Sequence, residues 1–249
     1  MRIALIDADV TAFVSSVVVE KSINWGDGIW TLHSDEDEGQ RAFQESIYRV
    51  QKLVEADKVI LAFSDSVNWR KTVLPTYKEN RATTRQPLIR RALVEWARGQ
   101  YECVSLPTLE GDDVLGILAT KKRPKSCKDE YVICTIDKDL KTVPGQHFNM
   151  TSGKLFEVTE EEADRYHLTQ ALTGDATDNY SGCPGIGPVA ASRIMDKGVT
   201  WENVVAAYGK AGLCEEEALI QARVARICRA DDYDFRKQQV ILWTPKKSK

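Results

Sequence analysis

Short apolar runs of strand length recur through the first half of the chain, and acidic residues follow them. The first run, Ile3 to Ile6, ends at Asp7. Three more runs lie at residues 59–63, 102–106 and 131–135. Apolar runs of this length are typical of strands that are buried on both faces. The pattern therefore predicts four buried strands.

Segments with helical spacing separate these runs. Apolar residues at 43, 47, 50, 53 and 54 form one helical stripe, and residues 88–97 and 114–120 predict two more helices. Strands that alternate with helices pair in parallel through right-handed crossovers. We therefore predict an α/β fold with a doubly wound, mostly parallel sheet.

The chain becomes helical from Thr159 onward. We expect residues 1–158 to form the α/β core and residues 159–249 a helical region, both within one integrated unit. Residues 24–39 are rich in turn formers and acids, which predicts a hairpin or a surface insertion. The lysine-rich tail, residues 245–249, is predicted to be disordered.

Composition fits a soluble protein of ordinary hydrophobicity, with 249 residues and 43% hydrophobic content. Asp7 and Asp9 stand where a signal peptide stays uncharged, so we expect a cytoplasmic protein. The six cysteines form no C-x-x-C pair, which argues against a zinc ribbon and for reduced thiols. The three histidines are isolated, which favours core or surface positions over metal ligation.

The net charge of −3 hides a segregation of charge. Residues 68–98 carry eight basic and two acidic residues. A strongly basic segment is typical of a surface that binds nucleic acid. An acidic centre with basic surroundings is what a metal-dependent nuclease needs.

Carboxylates follow the predicted strands. They are Asp7, Asp65, the pair Asp112 and Asp113, and the pair Asp137 and Asp139. The carboxyl ends of parallel strands share one edge of a sheet, where like charges repel unless cations balance them. Oxygen ligands suit Mg²⁺ or Mn²⁺, and two such ions hydrolyse phosphodiesters without a histidine base. Helix capping is the alternative, and it is credible for Asp112 and Asp113 taken alone.

The segment from Leu172 to Ala191 reads LTGDATDNYSGCPGIGPVAA. Its two acids, Asp175 and Asp178, precede a glycine-rich turn and a helix start. Glycines let backbone amides approach a phosphate, and a helix N-terminus favours negative charge there. An ordinary solvated loop with a helix cap is the alternative interpretation.

These motifs together resemble the 5′-nuclease (flap endonuclease) family, in particular its small bacteriophage and bacterial members and the 5′-nuclease domain of DNA polymerase I. The resemblance covers about residues 1–200. The motifs are LIDADV, DSVNWRKTVLPTYKENR, LEGDDVLG, TIDKDL and GDATDNYSGCPGIGPVAA. It implies a PIN-like nuclease core followed by a helix–two-turns–helix element that binds duplex DNA.

The resemblance also implies roles for single residues. Metal ligands would be Asp7, Asp65, Glu110, Asp112, Asp113, Asp137, Asp139, Asp175 and Asp178. Lys78 and Arg81 would reach the scissile phosphate, Tyr77 would stack on a terminal base, and Arg70 would grip phosphate. Asp9, two residues after Asp7, is expected on the same strand face and ranks below the other ligands.

The glycine turn would bind a potassium ion and the duplex backbone. Potassium would be held by the carbonyl oxygens of Leu172, Thr173, Ser181, Cys183 and Ile186. Further DNA contacts are expected from Gly185, Gly187, Lys71 and Arg85. Val189 stands where the family usually has lysine, and the short segment from Arg81 to Glu110 implies a small or open arch. The stripe Arg223, Arg226 and Arg229 fits a DNA contact or a solvated face equally well.

The sequence thus predicts a divalent-metal-dependent 5′→3′ exonuclease and flap endonuclease that uses two Mg²⁺ or Mn²⁺ ions and one K⁺ ion. Its role would be primer removal or DNA degradation in phage or bacterial replication. The expected partners are DNA, an RNA–DNA hybrid and a replication polymerase, with a monomeric protein and no membrane. Two alternatives stay open, a PIN-type ribonuclease and a non-catalytic structure-specific DNA-binding protein.

Overall fold

The computed structural model describes residues 1–124 and 126–245. Its strands are β1 (Arg2–Asp7), β2 (Lys21–Asn24), β3 (Trp30–His33), β4 (Lys58–Ala62), β5 (Cys103–Val104), β6 (Glu130–Thr135), β7 (Gly145–Asn149), β8 (Lys154–Val158), β9 (Tyr233–Asp234) and β10 (Gln239–Val240). Its helices are α1 (Ala8–Val19), α2 (Glu36–Leu53), α3 (Arg70–Val73), α4 (Arg90–Gln100), α5 (Gly111–Thr120), α6 (Glu160–Thr173), α7 (Pro188–Met195), α8 (Trp201–Lys210) and α9 (Glu215–Ala225).

A six-stranded sheet in the order β5-β4-β1-β6-β7-β8 forms the centre of the fold. All neighbours pair in parallel except β7 with β8. The predicted doubly wound, mostly parallel sheet is therefore confirmed. Three of the four predicted strands, β4, β1 and β6, lie inside it, and the fourth, β5, is an edge strand. The sequence analysis missed β7 and β8, because polar and apolar residues mix in these two strands and no continuous apolar run marks them.

Apolar side chains fill both faces of the sheet. On one face Phe43, Ile47 and Val50 of α2 pack with β-strand residues, together with small residues of α1. On the other face Leu115 and Ile117 of α5 pack against β1, β4 and β6. Burial of the sheet on both faces explains why its central strands read as continuous apolar runs.

The predicted insertion is a hairpin, as one of the two interpretations proposed. β2 and β3 pair with each other as a separate two-stranded sheet. The hairpin begins at Lys21, earlier than predicted, and α2 begins at Glu36, inside the predicted insertion. Asp35 caps α2 by accepting a hydrogen bond from the Glu38 amide, which fixes this early start.

The helical region begins where the sequence predicts. Thr159 and Glu162 form a capping box that starts α6. After α9 the chain returns to the core, where a Cβ placed on Gly116 of α5 would lie 2.3 Å from the Cys228 carbonyl oxygen. The contact shows the end of the helical region packed closely on the α/β core, and the boundary at residue 158 stays a prediction.

The histidines, the cysteines and the chain's tail were also subjects of sequence predictions. His147 and His167 are buried and His33 is exposed, in line with core and surface positions. The six cysteines are free thiols. Within residues 1–124 and 126–245, no helix combines the length and the apolar character that crossing a bilayer requires. Of the tail predicted to be disordered, residues 246–249 lie outside the described residues.

Candidate active site

Carboxylates from three parts of the chain meet at the carboxyl edge of the sheet. Asp7 ends β1, Asp112 lies in the first turn of α5, and Asp137 follows β6. These three side chains line one cavity of about 240 Å³. Asp9, Val10, Ser64, Lys78, Arg81, Arg90, Glu110 and Gly111 complete its wall. The fold therefore brings together acids that are more than 100 residues apart in sequence.

A second acidic group borders the first. Asp139 interacts electrostatically with Asp137, Asp175 and Asp178. Lys138 pairs with Asp175 at 3.3 Å. Asp137 thus stands between the two groups, which together contain most of the carboxylates proposed as metal ligands.

Burial and mutual repulsion make the charged form of these acids unfavourable. Burial raises the pKa of Asp112 well above its ordinary value, and the charges of Asp7 and Asp137 raise it further. Burial also raises the pKa of Asp7. It raises the pKa of Asp139 to about 7, with Asp137 and Asp175 adding to the shift. A carboxylate set of this kind favours any cation that can enter it.

Lys78 reaches into the site from an unusual backbone conformation. Its φ angle is 54°, in the left-handed region, and its amide donates to the Asp178 carbonyl oxygen at 2.9 Å. Its ammonium group donates to Glu110 Oε1 at 2.6 Å and lies 3.5 Å from Asp178 Oδ2. Although burial opposes the charge, Glu110 and Asp178 raise the pKa of Lys78. Left-handed non-glycine residues concentrate at functional sites.

Arg81 lies beside Lys78 at the edge of the acidic cavity. Its Nη2 donates to Asp178 Oδ1 at 2.5 Å, and its Nε donates to the Thr177 carbonyl oxygen at 3.1 Å. The side chain is 46% exposed, so it can reach a ligand. The structure therefore places both predicted phosphate-binding cations next to the acids.

The predictions for Arg70 and Asp113 are wrong. Arg70 is 1% exposed and donates to both carboxylate oxygens of Asp113 at 2.7 Å. It also donates to the carbonyl oxygens of Val224 and Arg226. Asp113 further accepts from the Cys228 amide and from Trp69 Nε1. This buried network leaves Arg70 closed to a phosphate and Asp113 closed to a metal.

Tyr77 and Asp65 also depart from their predicted roles. Tyr77 is 2% exposed, so it cannot stack on a base, and its hydroxyl donates to Asp178 at 2.7 Å and contacts Glu110 at 3.1 Å. Asp65 accepts from the amides of Ser66 and Thr108, both at 2.7 Å, and closes its own loop. The first residue orients the acids, and the second stabilises a turn.

The remaining basic predictions have mixed outcomes. Lys71 on α3 is exposed, as a DNA contact requires. Arg85 is paired with Glu20. Both interpretations of the arginine stripe are wrong for Arg226 and Arg229, whose side chains are 9% and 11% exposed. Arg226 donates to Asp232, and Arg229 pairs with Asp164 and donates to the Thr142 carbonyl oxygen. Arg223 is half-buried and donates to the Trp243 carbonyl oxygen. Helical spacing could not predict these partners, because all of them lie outside α9.

Asp9 lies on α1 rather than on the strand face of Asp7, because β1 ends at Asp7. It accepts from the Ser64 amide at 2.7 Å and from Arg90 at 3.2 Å. Arg90 is a residue of this cavity that the sequence analysis did not single out. Its position within the basic segment was the available signal, since its acidic partner is 81 residues away.

The glycine-rich segment forms two turns in close contact. Gly174 and Gly182 both have left-handed φ angles, and a Cβ on Gly174 would lie 2.4 Å from the Ser181 carbonyl carbon. Among the five predicted potassium ligands, the carbonyl oxygens of Leu172 and Cys183 accept from the amides of Cys183 and Ile186. Thr173 and Ser181 line a neighbouring cavity of about 550 Å³. The structure brings the two turns into contact, and ion binding by these carbonyl groups stays a prediction.

The end of this segment faces outward. A Cβ on Gly185 or Gly187 would meet open space, and α7 begins directly after Gly187 with Pro188 at its first position. Val189 follows with 67% exposure. An open backbone at a helix start suits the approach of a phosphate.

The acidic residues supply the oxygen ligands that divalent ions prefer, but they are not arranged as a closed coordination site. Asp139 Oδ1 is buried and lacks a hydrogen-bond partner within the described residues, so it is available to a cation. Across residues 1–124 and 126–245, however, no three Asp, Glu, His or Cys side chains converge into a closed metal cluster. Lys78 and Arg81 take up part of the negative charge. The ligand set therefore stays a proposal.

Comparisons with known proteins agree with this geometry. Residues 3–171 match the family described as 5′-3′ exonuclease, N-terminal resolvase-like domain. The chain belongs to this family. The exodeoxyribonuclease of enterobacteria phage T3 is 32% identical over 98% of this chain and 93% of its own length. The family resemblance predicted from the motifs is therefore confirmed, and the predicted enzyme class agrees with it.

Solved structures confirm the fold of this family member. The 5′-exonuclease of phage T5, solved with zinc, matches with a TM-score of 0.66 at 16% identity, over 90% of this chain and 89% of its own. The T5 flap endonuclease, solved as a complex with DNA and metal ions, matches with a TM-score of 0.61 at 14% identity, over 90% of this chain and 93% of its own.

Proposed function

We propose that this exonuclease-family protein is a divalent-metal-dependent 5′→3′ nuclease that hydrolyses DNA phosphodiesters at or near 5′ ends, including flaps. The observation that carries the proposal is the cavity in which Asp7, Asp112 and Asp137 meet beside Lys78 and Arg81. Burial and mutual repulsion make the acids favour cations, and the two basic residues supply the complementary charge for a phosphate. The activities named for the T3 and T5 proteins support the same conclusion.

The side chains divide the work of hydrolysis. Asp7, Asp112, Asp137 and Asp139, with Glu110, Asp175 and Asp178, would hold two Mg²⁺ or Mn²⁺ ions. When bound, such ions supply a water that ionises near neutral pH and neutralise charge on the phosphate. Lys78 and Arg81 would leave Glu110 and Asp178 to donate to the scissile phosphate, where they stabilise the charge that develops in the transition state. Tyr77 keeps Glu110 and Asp178 in place throughout.

The test is cleavage of a 3′-labelled duplex that carries a 5′ flap, with Mg²⁺ and with EDTA. The informative variant is Asp112→Asn, and its matched control is Asp231→Asn, which alters an aspartate that is 79% exposed and pairs with Lys122. We expect cuts near the junction that require metal, persist in the control and vanish in Asp112→Asn. Tight DNA binding by the unaltered protein without cleavage in Mg²⁺ or Mn²⁺ would instead support a DNA-binding protein.

The glycine-rich turns support a narrower proposal for duplex binding. We propose that the carbonyl oxygens around Gly174 and Gly182 hold K⁺ and that the open backbone at Gly185 and Gly187 contacts duplex phosphates. Replacing K⁺ by Li⁺ at equal ionic strength should then weaken duplex binding. Single-strand binding is the internal control, because the turns would contact only the duplex.

The biological setting is part of the proposal as well. We propose a monomer in the cytoplasm that removes primers or degrades DNA during phage or bacterial replication, and the name of the T3 relative, an exodeoxyribonuclease, supports action on DNA. An RNA–DNA hybrid is a candidate substrate, and a replication polymerase is a candidate partner. Cleavage of a 5′-RNA–DNA strand compared with an all-DNA strand of the same sequence would test the first of these.

A further inference from the structure

A short loop, residues 82–89, closes one side of the active-site region. It connects Arg81 to α4, and residues 82–86 are all exposed. Thr84 and Gln86 line a cavity of about 490 Å³ that also contains Arg81 and Arg90. The loop is therefore one wall of a space within the size range of small-molecule sites, about 300–1,000 Å³.

This cavity adjoins the acidic one. Asp9, Val10, Arg81 and Arg90 line both spaces. The far wall is apolar, with Phe13 and Val14 of α1 and with Ile136. A cationic edge beside an apolar wall suits a nucleotide unit, whose phosphate and base need these two environments. The free 5′ end of a strand held at the carboxylates would therefore enter this cavity.

One half-buried carboxylate fixes the loop. Glu20 directly follows α1, and its side chain is 9% exposed. It accepts from Arg85 Nη1 at 3.0 Å, from Arg85 Nη2, and from the Leu88 amide at 3.1 Å. A carboxylate that satisfies a guanidinium and a backbone amide together holds two points of the loop at once.

We infer that Glu20 is a specificity-determining residue: it holds the loop against α1 and so favours strands with a short free 5′ end over long single-stranded flaps. The inference rests on the proposed nuclease function. A fixed wall leaves room for a terminal nucleotide but restricts the path of a long strand out of the cavity. Releasing the wall opens that path while the acids, Lys78 and Arg81 stay in place.

The test compares two 3′-labelled substrates, a nicked duplex and a duplex with a 5′ flap of about 15 nucleotides. Glu20→Ala removes the tie, and Glu95→Ala is the matched control, because Glu95 pairs with Arg91 on the exposed surface of α4. We expect Glu20→Ala to raise the ratio of flap to nick kcat/KM by at least about fivefold, since three hydrogen bonds to the loop are lost. The control should leave this ratio unchanged.

The variant Arg85→Ala distinguishes two roles for Arg85, a tie that anchors the loop to Glu20 and a direct contact with DNA. Arg85 is 57% exposed, so its truncation is expected to leave the fold intact. A tie predicts that Arg85→Ala and Glu20→Ala shift the ratio in the same direction. Equal loss of activity on both substrates in Arg85→Ala, with no shift in Glu20→Ala, would overturn the inference and make Arg85 a DNA contact.

Limited trypsin digestion gives a readout that does not depend on nuclease activity. Glu20→Ala should speed cleavage after Arg85, and Glu95→Ala should not. Faster digestion with an unchanged substrate ratio would overturn the specificity role, and unchanged digestion would overturn the tie itself. A protein that cleaves neither substrate would instead refute the proposed nuclease function, with digestion still reporting on the loop.

Discussion

Asp112 and Asp113 are neighbours in the chain and lie in opposite electrostatic environments. Asp112 faces the acidic cavity, where burial and the charges of Asp7 and Asp137 raise its pKa. Burial acts on Asp113 in the same direction, but Arg70 outweighs it and holds the pKa of Asp113 below its ordinary value. Two identical residues in the first turn of α5 therefore have opposite roles.

Helix geometry produces this difference. Successive residues of an α-helix are about 100° apart around the axis, so the two side chains of α5 leave in different directions. One direction leads to the open edge of the sheet, and the other leads into the contact with α3 and the segment after α9. A charge without a partner is available for ligand chemistry, whereas a charge with five donors is committed to the fold.

The largest effect should come from breaking the buried ion pair of Asp113 with Arg70. Asp113→Asn leaves the Arg70 guanidinium buried without its counter-charge, so we expect a loss of about 3–5 kcal/mol in the free energy of unfolding. Urea denaturation measures this loss. Asp231→Asn, at an exposed ion pair, should cost less than about 0.5 kcal/mol. Similar stabilities for the two variants would show that the buried network of Arg70 and Asp113 contributes little to the free energy of unfolding.

Replacing Asp112, which has no counter-charge of this kind, should change the nuclease activity instead of the stability. Asp112→Asn removes a proposed metal ligand, so the cleavage rate at saturating Mg²⁺ should fall by at least about a hundredfold, or about 2.7 kcal/mol in activation free energy. Stability should stay level or rise, because a repelled charge is removed. Single-turnover kinetics and a urea titration of the same preparation give both values. A large stability loss here would erase the contrast with Asp113.

His167 sharpens the comparison with a buried group that stays neutral. Burial, with the charge of Arg226, lowers the pKa of His167 to about 3. Because the unfolded histidine takes up a proton below about pH 6.5 and the folded one does not, stability falls as pH drops from about 6.5 toward 3. The cost at pH 5 relative to pH 7 is about 2 kcal/mol.

The histidine variant His167→Gln should lose this part of the pH dependence. Glutamine retains a donor for the Ala222 carbonyl oxygen, which accepts from the ring at 2.7 Å. His33→Gln, at an exposed position on the hairpin, is the control and should follow the unaltered protein. Parallel stability curves for all three proteins between pH 5 and pH 7 would contradict the assignment.

The smallest expected effect concerns metal-linked stability. The pKa of Asp139 is raised to about 7, so the folded acid gains its charge later than the unfolded one as pH rises. Stability without metal should therefore fall between about pH 4 and pH 7, and Mg²⁺ should offset that loss. Added Mg²⁺ should raise Tm by about 2–4 °C more at pH 8 than at pH 5. Ca²⁺ gives a non-hydrolytic comparison, and an equal Tm shift at both pH values would refute the linkage.

The sequence predicted the parts of the fold that local pattern specifies. Apolar runs marked the central strands β1, β4 and β6, because strands covered on both faces need apolar residues at successive positions. The run at residues 102–106 marked the edge strand β5. The start of the helical region at Thr159 was also predicted, and the structure shows its local cause, a capping box of Thr159 and Glu162. The last two strands at one side of the sheet, β7 and β8, escaped prediction, since partial exposure permits polar residues among the apolar ones.

The candidate site divides in the same way. Acids after strands, together with Lys78 and Arg81, were found from position and motif alone, because a parallel sheet gathers its carboxyl ends. Arg70, Tyr77 and Asp113 belong to the same motifs, yet they face inward. Their partners lie on other elements, as the hydrogen bond from Arg70 to the Arg226 carbonyl oxygen across 156 residues illustrates.

By itself, therefore, the sequence determined the central strands, the acids that follow them and which family the chain resembles. The tertiary structure alone decided which charged side chains are paired within the fold and which remain available to a ligand. It also decided that Glu20 holds Arg85 across 65 residues. The physical reason is that periodicity and caps act over a few residues, whereas burial and ion pairing depend on elements that only the folded chain brings into contact.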